Sequence, residues 1–96
     1  MKQPKSLTKD QVPRLSTWLE ALWHDAKGDW EKAHTLIQDL TDKNSSWIHA
    51  YLHRKEGDTF NAGYWYRKAG KNMPEMTLEK EWEMIAKEML DSPSTT

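Results

Sequence analysis

The chain has no cysteine, so disulfides, zinc–thiolate centres and thiol nucleophiles are excluded. That usage suits a reducing compartment. No apolar stretch reaches the length of a membrane span, and the opening MKQPKSLTKD lacks the apolar run of a secretory signal. A cytoplasmic protein with no membrane partner is expected. Neither sign of charge prevails: the net charge of −1 argues against a dedicated nucleic-acid binder. Only four glycines and four prolines punctuate the chain, and none builds a phosphate cradle. There is no nucleophile elbow, and the serines gather at helix caps and in the tail. An enzyme is not expected. Alternating β-branched runs are missing too, so the fold class expected is all-α.

What the chain has in excess is tryptophan, six in 96 residues. Its large ring suits a core, and its N–H also suits an interface. A single domain of this size has difficulty burying all six. The charges are also segregated. Residues 49–72 set Arg54, Lys55, Arg67, Lys68 and Lys71 against Glu56 and Asp58. Residues 75–91 set Glu75, Glu79, Glu81, Glu83, Glu88 and Asp91 against Lys80 and Lys87. Two solvated helix faces explain this, as does complementary docking within or between chains.

The apolar residues fall at helical spacing. Val12, Leu15, Leu19, Leu22 and Ala26 form one stripe, opened by Pro13 in a first turn. Ala33, Leu36, Ile37 and Leu40 form a second. The polar break Asp42-Lys43-Asn44-Ser45-Ser46 offers Asn or Ser as the cap of a third helix, from about Trp47 to Lys55. A fourth is expected to about Ala69, stopped by Gly70 and Pro74, and a fifth from about Leu78 to Leu90. The fifth carries Leu78, Trp82, Ile85 and Met89 on one face.

An offset of 29 residues carries Trp18 onto Trp47, Ala21 onto Ala50, His24 onto His53, Gly28 onto Gly57, Asp29 onto Asp58 and Ala33 onto Ala62. The repeated pattern is WxxAxxHxxxGDxxxA. Each position has an architectural use: the alanines permit close helix approach, glycine ends the first helix, and aspartate caps the second. His24 and His53 then need no ligand to explain them, being one position of a repeat.

AxxHxxxGDxxxA resembles the tetratricopeptide-repeat pattern, with His24 and His53 where an aromatic is usual. DTFNAGYWYRKAG, residues 58–70, resembles the second helix of a Sel-type repeat. HAYLHRKEGD with NAGYWYRKAG is also similar to a family of short bacterial proteins. The period is shorter than the roughly 34 residues of a tetratricopeptide repeat. The resemblance implies one domain over 1–96, a right-handed α-solenoid fragment. Repeat 1 spans about 12–42, repeat 2 about 44–72, and a capping helix about 76–91, with disordered ends at 1–7 and 92–96.

The resemblance also implies a groove lined by the first helix of each hairpin. It would present Leu15, Trp18, Leu22, Asp25 and Ala26 from the first repeat and Asn44, Trp47, Tyr51, Arg54 and Lys55 from the second. Tyr51, Arg54 and Lys55 are expected to face solvent. Trp18 and Trp47 fit groove exposure and inter-repeat packing about equally. Tyr64-Trp65-Tyr66 point about 100° apart on a helix, so at least one is exposed. Trp65 is expected against the fifth helix. The function implied is a non-catalytic interaction module that takes a peptide or partner helix in the groove, with no cofactor. Two repeats fall short of the three usual for a stable solenoid, and a second copy of the chain could extend the stack into a homodimer. The alternative is a histidine-based metal or small-molecule site, enzymatic or not, with His24, His49 and His53 as candidates. His34, Asp25, Glu56 and Asp58 are its further donors.

Overall fold

A computed structural model describes residues 16–91. Val12, Pro13, Leu15 and the expected disordered ends lie outside the described residues. Five helices follow in order: α1 Thr17–Ala26, α2 Trp30–Ile37, α3 Lys43–Lys55, α4 Thr59–Lys68 and α5 Leu78–Asp91. No strand occurs among the described residues.

The two glycine turns act as the repeat requires. Gly28 and Gly57 both sit at φ +90°, a backbone setting that other residues adopt only with strain. The next residue in each case caps a helix: Asp29 accepts from the Lys32 amide, and Asp58 from the Asn61 amide. Ala21, Ala50, Ala33 and Ala62 are completely buried. They let α1 lie close to α2, and α3 close to α4, as small side chains allow.

The third helix begins earlier than its apolar pattern suggests. Asp42, rather than Asn or Ser, caps it and accepts from the Ser45 amide at 2.9 Å. Ser45 Oγ donates to Asp42 Oδ1 at 2.7 Å and accepts from Trp18 Nε1 at 2.9 Å. The cap of α3 is thereby tied to α1. Trp30 Nε1 donates to the Leu52 carbonyl and Trp82 Nε1 to the Leu22 carbonyl. Indole N–H groups therefore stitch helices that are distant in sequence, which is one use for the surplus tryptophan.

The fifth helix packs against α1 and α3, with no close backbone approach to α4 among the described residues. Ile85 and Met89 enter the core, each worth about 1.5–3 kcal/mol by burial. Between Leu78 and Trp82 on that stripe lies Glu81, fully buried. Its carboxylate accepts from Tyr66 at 2.6 Å, Trp47 Nε1 at 3.2 Å and Arg54 at 2.7 Å. Arg54 also donates to the Met76 carbonyl, fixing the approach to α5.

Removing that acceptor leaves Trp47 Nε1 and the Tyr66 hydroxyl without their partner and Arg54 without its counter-charge. Glu81→Ala is expected to destabilise the protein by about 3–5 kcal/mol, as breaking a buried ion pair does. Urea denaturation checks this, and an unchanged midpoint would show that Glu81 does not hold α5.

Candidate functional site

The six groove residues named from the sequence fall into three sets of contacts within the chain, with Lys55 exposed as expected. Tyr51 is 3% exposed instead of facing solvent. Its hydroxyl donates to Asp25 Oδ2 at 3.1 Å, while Lys55 Nζ reaches Asp25 Oδ1 at 2.9 Å. Burial, with the Asp25 carboxylate second, raises the Tyr51 hydroxyl pKa. Asp25 is itself buried. Trp47 and Arg54 are bound to Glu81, and Trp18 to Ser45. Helix α5 packs along α1 and α3, the two helices that carry these side chains. A cleft of about 340 Å³ persists at the start of α5, lined by Asp25, Tyr51, Lys55, Leu78 and Trp82 among others.

The outer face of α4 is different. Phe60 is 84% exposed and Tyr64, one turn on, 46%. The 29-residue offset places Phe60 on Glu31 and Tyr64 on Thr35 of α2, both exposed. The same architectural positions are polar in one repeat and aromatic in the other, so the hairpin does not need aromatics there. Arg67 and Lys68 continue the exposed surface, whereas Lys71 lies over the Trp47 ring, 4.1 Å from its centre. Lys68 Nζ lies 5.9 Å from the Tyr64 ring centre and 5.7 Å from that of Trp65. Trp65 does not meet α5 as expected; it stacks on His49 with centres 3.9 Å apart.

A third feature brings histidines together. His34 on α2 and His49 and His53 on α3 converge, with one ring nitrogen of each within 4.8 Å of the others. His34 Nε2 and His49 Nε2 are 3.1 Å apart. Trp30 lies parallel over His34 at 4.8 Å, so indoles flank both ends of the cluster. His24 takes no part: its Nε2 sits 3.9 Å from Glu20, and its ring packs edge-on against Trp23. The sequence pattern pairs His24 with His53, and the fold replaces it with His34. Trp30 and His34, one turn apart on the short α2, were the available signal.

Burial, and then the neighbouring imidazoles His34 and His53, push the His49 pKa down to about 3. Burial, and then His53, also lowers that of His34. Such imidazoles bind fewer protons folded than unfolded. Their contribution to stability is complete above about pH 6.5, the unfolded value. It is lost as the pH falls from there toward 3. Melting temperature measured with chelator present should therefore drop between pH 7.5 and 5.5, with a flatter profile for His49→Gln; parallel profiles would exclude His49 as the source. Comparison with models of known families, with characterised proteins and with solved structures finds no match.

Proposed function

We propose that the protein is a small non-catalytic interaction module whose contact surface is the outer face of α4, and that its occupant is α5 of a second copy. The observation that carries this reading is Phe60, 84% exposed at a position where the other repeat has Glu31. An aromatic in open water gains nothing for the monomer, and burying it is worth about 1.5–3 kcal/mol.

Charge selects the occupant. Arg67 and Lys68 flank the aromatic pair, whereas the outer surface of α5 exposes Glu79, Glu83, Glu88 and Asp91 against Lys80 and Lys87, a net acidic face. The same surface offers Met84, 45% exposed, and Leu90, 67% exposed, as apolar counterparts. Opposite charge around an apolar centre is the arrangement that steers association and fixes register. The groove named from the sequence is a poorer surface, since a ligand there must first displace α5 and break the contacts of Glu81.

Light scattering behind size exclusion, from micromolar to millimolar chain, should show a dimer that weakens with added salt. Phe60→Glu should weaken it at least tenfold while leaving the denaturation midpoint unchanged. A monomer throughout overturns self-association, even if the protein binds an acidic helical peptide from another source. A dimer indifferent to Phe60→Glu places the contact elsewhere.

A further inference from the structure

The histidine cluster joins residues from two helices that the repeat pattern does not pair, and it leaves polar atoms that packing alone does not satisfy. His49 is 4% exposed, and its Nδ1 is buried with no hydrogen-bond partner. Its Nε2 meets another imidazole Nε2, so in the bare protein one of these nitrogens must donate to the other. Leaving a nitrogen buried and unpaired is unfavourable, and a hydrophobic side chain in place of His49 against Trp65 would avoid that penalty.

We propose that His34, His49 and His53 bind one divalent transition-metal ion, with Zn²⁺ the ion that this all-imidazole donor set fits best. Four-coordinate zinc holds imidazole nitrogen at 2.0–2.1 Å, which sets neighbouring donors about 3.3 Å apart. His34 Nε2 and His49 Nε2 already stand at 3.1 Å. One ring nitrogen of each of the three residues lies within 4.8 Å of the others, so a small inward shift of the rings completes the set. Two histidines one helical turn apart on α3 supply neighbouring donors, and α2 supplies the third.

The surroundings suit an ion. His53 Nδ1 lies 2.8 Å from Glu56 Oε2. Donation of that N–H to the carboxylate leaves Nε2 bare for coordination, the carboxylate–histidine–metal arrangement that orients ligands and raises their basicity. Glu56 is thus a positioning residue. On coordination through Nε2, His49 carries its proton on Nδ1, which then needs an acceptor. Ser46 Oγ, also buried without a partner, stands one turn back on the same helix. Trp30 and Trp65 hold the His34 and His49 rings from outside, limiting the freedom lost on binding. Three protein donors leave a fourth position for water or an exogenous ligand.

The test uses the full chain without a histidine tag, stripped with chelator, then titrated with Zn²⁺ by calorimetry and with Co²⁺ by visible absorption. One ion per chain is expected, with the intense ligand-field bands of four-coordinate Co²⁺. His34→Gln and His53→Gln should each weaken binding at least tenfold, and Glu56→Gln by about tenfold. His24→Gln should bind as the parent does. Circular dichroism of each variant separates loss of a ligand from loss of fold, and both substituted ligands are only partly buried. Failure of the parent to take up Zn²⁺ overturns the proposal. So does undiminished binding by folded His34→Gln and His53→Gln, or a loss for His24→Gln as large as theirs.

Discussion

A carboxylate sealed from water persists only where donors converge on it, because its desolvation must be offset locally. Glu81 meets that condition through Trp47 and Arg54 of α3 and Tyr66 of α4. No shift of α5 along or around its axis keeps all three. Burial of Ile85 and Met89 draws α5 to the domain without specifying its register, whereas the directional bonds at Glu81 specify it. Most of what distinguishes this protein from an open pair of helical hairpins follows from that constraint.

With α5 fixed, the first helices of the two repeats lose their shared solvent face. Aromatic and basic side chains that would serve a partner in an open groove instead secure the chain's own C-terminal helix. Two helical hairpins alone bury little surface, and α5 adds Ile85 and Met89 to their core. The surplus side chains are then those that α5 does not cover: Phe60 and Tyr64 on α4, and the histidines between α2 and α3. These are separate surfaces, one suited to another helix and one to an ion.

The hairpins were legible because their signals are local. Gly28-Asp29 and Gly57-Asp58 set turn and cap within two residues, and the alanine pairs announce close packing; the structure has all of these where the repeat puts them. The start of α3 was misplaced because Ser45 and Ser46 look like a loop. They are buried instead, with Ser45 tied to Trp18 and Asp42. The position of α5 was not legible from an apolar stripe, which shows that a face is buried but not against what. Glu81 was the overlooked sign, an acid within that stripe in a chain rich in indole and phenol donors. The histidine cluster was half visible: His49 and His53 share a helical face, but only the packing of α2 on α3 brings in His34 and leaves His24 outside.

Hydrogen exchange under native conditions tests most directly whether α5 is an integral part of the fold. A helix locked by Glu81 opens only when the domain opens, so amides around Ile85 should be protected to the same degree as those around Ile48 in α3. Exchange around Ile85 at rates typical of a frayed end, with α3 still protected, would contradict this account and return α1 and α3 to the status of an open groove.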